Sequence, residues 1–323
     1  MNVLVESSCN QRCEFCFQRS AFELEGRATM TLDEVRTVAS FMTANHRGAV
    51  GVLGGEPTLH PEFGAIVREF AERGIRTTLF TNGLCDPARL EAGLPHVDSV
   101  LVNYATPFAR NGHGRAGLSA TLDRLVLERD ERRRRGAELG IDLGVTLMEV
   151  GQDLSYVLRV AREIEARAVR WDLAKPAPDR SNRYIDPFAH ESAGAWIAGF
   201  VREFERVGVK TGVDCPVPLC LFEPEDLAYL EKTVLGFRGS CRPPVDVLPG
   251  LRLIHCLPLA HVCEPLHLSE IGSWDELQRF LYGVVRSSSW KRALPVACRE
   301  CGFFREKRCQ GYCPAFRISE VES

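Results

Sequence analysis

From Met1 to about residue 176 the chain repeats one rhythm: a short β-branched run, a glycine- or polar-rich turn, then a stretch with apolar residues three and four apart. Short apolar runs between turn signals read as strands, and apolar recurrence at 3.6 residues reads as helix. Strands are expected at Met1–Val5, Ala49–Leu53, Thr77–Phe80, Val97–Asn103, Ile141–Leu147 and Val169–Leu173. Helices are expected at Thr31–Thr43, opened by a capping box between Thr31 and Glu34, and at Pro61–Arg73, stopped by Gly74. Such alternation requires a parallel sheet, and short right-handed crossovers restrict it to an open doubly wound sheet or a full or partial barrel. In both architectures ligands gather at the carboxyl ends of the strands.

The rhythm breaks after about residue 176 into loop, followed by one more helix at Ala195–Val207 and a cysteine-rich tail from Asp214. A length of 323 residues accommodates this as a large α/β domain over residues 1–210 and a smaller domain over 211–323. The run Glu128–Arg135, with four consecutive arginines, reads as a solvated helix face. A net charge of −3 gives neither a nucleic-acid footprint nor attraction to a membrane surface, and no apolar run reaches the roughly 18 residues of a spanning helix. The opening MNVLVESSC lacks the regions of a signal peptide, so a cytoplasmic location is expected. In that reducing compartment thirteen cysteines, an odd number, serve metals, clusters or catalysis rather than a disulfide framework.

Cys9, Cys13 and Cys16 form C-x3-C-x2-C directly after the first strand. Three thiolates in one short loop can converge on a metal centre, and three ligands leave one iron of a four-iron cluster open. A zinc site short of its fourth ligand is the alternative. Gly54-Gly55-Glu56-Pro57 ends the second strand and Thr81-Asn82-Gly83 ends the third. Paired glycines would let backbone approach a ligand, and Glu56 could accept from an ammonium, although each segment alone could be a turn. Taken together, the cysteine spacing, Phe15 before the last cysteine, and GGEP and TNG at successive strand ends resemble the radical S-adenosylmethionine (SAM) superfamily.

The resemblance implies a partial (β/α)6 TIM-like barrel carrying a [4Fe-4S] cluster on Cys9, Cys13 and Cys16. Its open iron would be chelated by the amino and carboxylate groups of S-adenosyl-L-methionine. Gly54, Gly55, Glu56 and Pro57 would meet the methionine amino group, with Thr81 and Asn82 near the cofactor. The implied reaction is reductive cleavage to a 5′-deoxyadenosyl radical that abstracts hydrogen from substrate, fed by a low-potential donor such as ferredoxin or flavodoxin. At later strand ends Asn103 and Thr146 could reach ribose or carboxylate, and Arg170 or Asp172 the adenosyl or substrate region. Each is equally an ordinary strand-end polar residue.

The tail holds Cys215, Cys220, Cys241, Cys256, Cys263, Cys298, Cys301, Cys309 and Cys313. Fourteen residues separate Cys241 from Cys256, with Gly250 between; then come C-x2-C, seven residues, and C-x3-C. This resembles the SPASM/Twitch extension of radical enzymes, which implies one or two auxiliary [4Fe-4S] clusters. By that resemblance Cys241, Cys256 and Cys313 serve one cluster and Cys298, Cys301 and Cys309 another. Each set lacks a fourth ligand, for which Cys215 and Cys220, or else Cys263, are the candidates. A zinc ribbon is the competing structural reading, and Cys215 as a hydrogen-atom donor is a further alternative. Enzymes of this group often modify peptides, while others act on small molecules. The first strand begins at Met1, so no preceding peptide-binding domain is expected, although a separate protein could present a substrate. A peptide or protein substrate is the leading expectation; a small-molecule dehydrogenase or mutase, and a non-catalytic zinc or iron–sulfur protein, are the rivals.

Overall fold

The computed structural model describes residues 1–19, 28–104, 113–177, 179–242, 245–262, 266–285 and 294–316. Its first part follows the sequence rhythm. Strands β1 (Asn2–Glu6), β2 (Ala49–Gly54), β3 (Arg76–Thr81), β4 (Ser99–Asn103), β5 (Gly140–Leu147) and β6 (Ala168–Leu173) lie side by side in chain order, all parallel. Helices α1 (Leu32–Ala44), α2 (Phe63–Glu72), α3 (Pro87–Gly93), α4 (His113–Arg134) and α5 (Ser155–Glu163) make the crossovers. The Thr31/Glu34 capping box forms as expected and fixes where α1 begins.

Burial on β1 shows the architecture in miniature. Val3 and Val5 join a core with Val35, Val38 and Met42 of α1 and Phe63, Ile66 and Phe70 of α2. Leu4, between them, points to the opposite face and packs with Leu248, Ile254 and Leu257. A strand buried on both faces is what a parallel sheet covered by helices outside and filled inside requires.

The same sheet runs on past residue 210. After α6 (Ala193–Arg206), β7 (Thr211–Val213) adds parallel to β6. Beyond α7 (Pro224–Thr233), β8 (Asp246–Leu248) pairs parallel with the other flank, β1, and continues antiparallel into β9 (Arg252–Ile254) and β10 (Leu266–His267). The sheet of ten strands is open, in the order β10-β9-β8-β1-β2-β3-β4-β5-β6-β7. Among the described residues the remaining helices are α8 (Trp274–Val285), α9 (Val296–Glu300) and α10 (Gly302–Arg305).

The arginine run departs from its sequence reading. Arg129 is 6% exposed and donates to the Ile164 and Glu165 carbonyls, while Arg132 donates to Val97 O at 2.7 Å and to Glu128 at 2.9 Å. Only Arg133, Arg134 and Arg135 are exposed. The run's last three arginines form a solvated face, while Arg129 and Arg132 clamp α4 to the carbonyls of neighbouring turns.

Candidate active site

The carboxyl ends of β1, β2 and β3 carry the three motifs on one edge. Past Glu6 the backbone of β1 keeps pairing with the glycine segment: Gly55 N donates to Glu6 O at 2.7 Å and Glu56 N to Ser8 O at 2.8 Å. A Cβ on Gly54 would stand 2.2 Å from Glu6 O, and one on Gly55 would stand 2.3 Å from Ser8 O. Both glycines are therefore demanded by the chain entering the cysteine loop, where the sequence suggested close approach to a ligand.

Glu56 is likewise turned inward, 0% exposed. Its carboxylate accepts from Thr58 N (3.2 Å), Thr58 Oγ1 (2.8 Å), Thr81 Oγ1 (3.0 Å) and Asn82 N (2.8 Å). Burial raises its pKa against the lowering effect of these donors. The expected ammonium acceptor is thus, in its geometry, a tie between the ends of β2 and β3. Pro57 is buried in a 3-10 turn, Pro57–Leu59, and Thr81 is 4% exposed. Of the motif side chains, Asn82 is the one that reaches the cysteine loop. Its Nδ2 donates to Asn10 Oδ1 at 2.8 Å and lies 3.6 Å from Cys9 Sγ, while Asn10 donates to Leu84 O at 2.7 Å.

The loop is held from its other side by the strap after β6. Asn182 Nδ2 donates to Phe15 O (2.9 Å) and Lys175 O (2.8 Å), and Arg183 N donates to Glu14 O (2.7 Å). Phe15 and Ala174 are buried together, with Cys13, Met148 and Tyr184 against them. Burial, reinforced by the Cys16 and Cys9 thiols, pushes the Cys13 thiol up to about 12; burial also raises Cys9, with the Cys16 thiol adding to it. The three sulfurs therefore sit within one another's electrostatic reach. At the end of β4, Asn103 Oδ1 is buried with no partner among the described residues.

Among the described residues the tail cysteines fall into two groups. Burial pushes the Cys256 thiol well up, and Cys313, Cys241 and Cys215 push it further; Cys241 is pushed to about 12 by burial and then Cys313. Cys215, following β7, feels burial first, then Asp172, Lys175 and Cys313. For Cys220 burial comes first and then Cys309, Cys301 and Cys298, raising it to about 11. Those four thiols line one pocket with Phe188, Phe303, Phe304 and Tyr312. Cys215 thus stands with Cys241, Cys256 and Cys313, and Cys220 with Cys298, Cys301 and Cys309. Cys263 lies outside the described residues. None of the twelve described cysteines is in a disulfide, and among the described residues no three His, Cys, Asp or Glu side chains stand as a ready-made set for one metal ion.

Sequence reasoning passed over Cys85, Lys175 and Tyr312. Cys85 Sγ lies 3.3 Å from Thr81 Oγ1 behind the cysteine loop, and burial raises it to about 12. Lys175 is 6% exposed beside Cys215, its pKa lowered by burial but raised more by Asp172 and the Cys215 and Cys313 thiols. The Tyr312 hydroxyl is buried without a partner among the described residues. No sequence signal marks these three, because each depends on what the fold brings near it. Arg170 pairs with Asp214, and Asp172 Oδ1 accepts from Cys215 N at 3.3 Å, so both belong to the β6–β7 edge beside the tail cysteines. Thr146 uses its carbonyl to accept from Gln152 at 3.3 Å.

Residues 5–139 match the family model of the Radical SAM superfamily. The chain carries a radical SAM domain. Among curated proteins the domain's chain is 32% identical over 155 residues to a tungsten-containing aldehyde ferredoxin oxidoreductase cofactor-modifying protein of Pyrococcus furiosus, covering 44% of this chain and 42% of that one. It is 35% identical over 77 residues to a 7-carboxy-7-deazaguanine synthase of Halobacterium salinarum (24% and 29% covered), and 29% identical over 84 residues to an S-adenosylmethionine-dependent nucleotide dehydratase of Selenomonas ruminantium (26% and 29%). The chain spans less than half the length of each of these relatives. Among solved structures, Streptococcus suis SuiB bound to S-adenosylmethionine superposes with a TM-score of 0.65 at 14% identity, covering 100% of this chain and 73% of that one. The protein anSMEcpe with bound AdoMet and Cp18Cys peptide gives 0.66 at 16% identity, covering 100% and 90%. At such identities the likeness shows the fold alone, a mixed α/β partial barrel whose sheet is not closed.

A radical SAM fold implies a [4Fe-4S] cluster and S-adenosylmethionine, and the residues present fit both. Three free thiols share one loop, and Asn103 offers an unpartnered acceptor at the same strand edge for a hydroxyl or amino group.

Proposed function

We propose that this radical SAM protein holds its catalytic [4Fe-4S] cluster on Cys9, Cys13 and Cys16, binds S-adenosylmethionine along the ends of β1 to β4, and modifies a peptide or protein substrate with the help of two auxiliary [4Fe-4S] clusters. The observation that carries this reading is the division of eight tail thiols into two sets of four beside that edge: Cys215, Cys241, Cys256, Cys313, and Cys220, Cys298, Cys301, Cys309. Four thiolates per set is the complement of a closed iron–sulfur cube. Residues 1–210 then act as the core and 211–323 as the auxiliary-cluster region. SuiB has been solved with the precursor peptide SuiA and anSMEcpe with a peptide, which supports a peptide here.

When bound, the cluster and cofactor supply a 5′-deoxyadenosyl radical able to take hydrogen from an unactivated carbon. The protein's own residues set the stage for it. Gly54 and Gly55 seat the loop against β2, Glu56 locks β2 to β3, and Asn82 holds the loop's Cys9 end. Asn182 and Ala174 hold its Phe15 side, and Asn103 would accept from the cofactor's ribose.

Anaerobic reconstitution tests the reading. The intact chain should take up about twelve irons, four per cluster, and release 5′-deoxyadenosine on reduction; Cys9→Ala/Cys13→Ala/Cys16→Ala should lose about four irons and all product. Zinc in the N-terminal loop, or unchanged cofactor binding by the triple variant, defeats it. A small-molecule substrate is the second reading, favoured by the curated relatives that are named for a nucleotide and a deazaguanine. Deuterium appearing in 5′-deoxyadenosine from a labelled peptide encoded beside the gene, and not from labelled nucleosides, decides between them.

A further inference from the structure

We propose that the Lys175 ammonium is the positioning group that sets the reduction potential of the cluster held by Cys215, Cys241, Cys256 and Cys313; this rests on the cluster assignment made under Proposed function. Lysine is almost never buried without a partner, and Lys175, just past the end of β6, is 6% exposed. Its Nζ lies 3.3 Å from Leu173 O and 3.3 Å from Asp172 Oδ1. That same carboxylate oxygen accepts from the backbone N of Cys215 at 3.3 Å. One oxygen therefore fixes both the ammonium and the backbone of a cluster ligand.

The pair is unequal in exposure. The Asp172 side chain is 30% exposed and the Lys175 side chain 7%, so solvent screens the negative charge more than the positive one. Removing the ammonium takes a positive charge from beside the Cys215 backbone, and removing the carboxylate takes away a negative one. A cluster gains a unit of negative charge when reduced, and burial alone disfavours that gain; a fixed cation beside a ligand offsets it and moves the potential upward. The ammonium is held by Leu173 O and Asp172 Oδ1, and its backbone is anchored by Asn182 Nδ2, which holds Lys175 O at 2.8 Å and Phe15 O at 2.9 Å. The other thiol set sits in a pocket walled by Phe188, Phe303, Phe304 and Tyr312, so the effect belongs to one cluster.

The test is an EPR-monitored redox titration of the full chain in the Cys9→Ala/Cys13→Ala/Cys16→Ala background, which leaves the auxiliary clusters alone. Lys175→Met should shift one of the two potentials negative and leave the other unmoved; Lys175→Arg should restore it; Asp172→Asn should shift the same cluster positive. Unmoved potentials with full iron, both clusters shifting together, or Asp172→Asn shifting in the same direction as Lys175→Met overturns the proposal. If Lys175→Met loses its irons, Lys175→Arg, which should leave both potentials at their parent values, and Asp172→Asn, which should raise one of them, decide together. If Cys215→Ser costs the parent chain no iron, the cluster assignment falls, and this inference with it.

Discussion

Replacing Gly55 with alanine tests the idea that the paired glycines serve the cysteine loop itself. The added methyl would stand 2.3 Å from Ser8 O, 2.6 Å from Ser8 C and 2.7 Å from Ser7 O. All three are backbone atoms, so no side chain can swing aside. Relief to about 3.2 Å requires the Ser7–Ser8 backbone to retreat by roughly 1 Å, and Cys9 is the next residue. Overpacking of this kind costs about 2 kcal/mol. The retreat also stretches the Gly55 N to Glu6 O and Glu56 N to Ser8 O hydrogen bonds, worth about 1 kcal/mol each. A loss of about 4 kcal/mol in a chain of 323 residues lowers the melting midpoint by roughly 6 °C.

The control is Gly199→Ala in α6, where an added Cβ meets nothing within 4 Å and helix propensity favours alanine by about 1 kcal/mol. Calorimetry of both variants, with iron counts on each reconstituted protein, is the assay. Gly55→Ala should melt lower and fail to fill the N-terminal site while keeping the tail irons; Gly199→Ala should melt at or above the parent and load fully. A Gly55→Ala protein that melts and loads like the parent would refute the argument, and the glycines would then have to be explained by the ligand.

Cys215→Ser and Cys220→Ser should each remove about four irons, and the double variant about eight; overlapping rather than additive losses in the iron count would mean one shared site. Asp246, whose carboxylate is pushed up to about 6 by burial despite donors from Asn2 and Leu257, makes the fold less stable as pH rises from about 4 through 6, because the unfolded chain gives up its proton first. That cost, about 3 kcal/mol, should vanish from the pH profile of urea unfolding in Asp246→Asn. Arg129→Ala leaves the buried Ile164 carbonyl without its donor and should cost about 2 kcal/mol; Arg134→Ala, at the exposed end of the same run, should change the unfolding free energy by less than about 0.5 kcal/mol.

The parts of this molecule readable from sequence are those governed by local periodicity and by close spacing. The six βα strands, the Thr31 cap and the break after β6 all announce themselves within a dozen residues. So does the cysteine triplet, since loop chemistry at a strand end needs only the strand and the loop. The surroundings of Glu56 are not legible in the same way, because Thr81 and Asn82, from the end of β3, close over its carboxylate together with Thr58. Arg129 and Arg132 were misjudged for a related reason: charge density along the chain says nothing of the carbonyl ends, at Leu94–Val97 and Ile164–Glu165, that the neighbouring turns aim at α4. The partners of Cys215 and Cys220 were undecidable in sequence, being 26 and 78 residues from the next thiol of their sets, a separation that only the sheet resolves.

How the sheet resolves it explains why the tail is built as it is. Cys215 follows β7, on one flank of the open sheet, whereas Cys241 and Cys256 bracket the β8–β9 hairpin on the flank beside β1. Thiols from opposite flanks reach one another only if the sheet curls until its two sides meet, as a partial barrel does and a flat doubly wound sheet does not. The remaining joints are backbone ones: Gly239 bridges to Cys309, Gln310 N donates to Gly239 O at 3.1 Å, and Cys241 N donates to Gln310 Oε1 at 3.1 Å. A Cβ on Gly239 would meet Arg308 O at 2.7 Å, so the approach of the two tail segments depends on that glycine. The two thiol sets are thereby fixed to each other and to the sheet by hydrogen bonds rather than by a flexible linker, which is the geometric condition for Lys175 to act on one set and not on both.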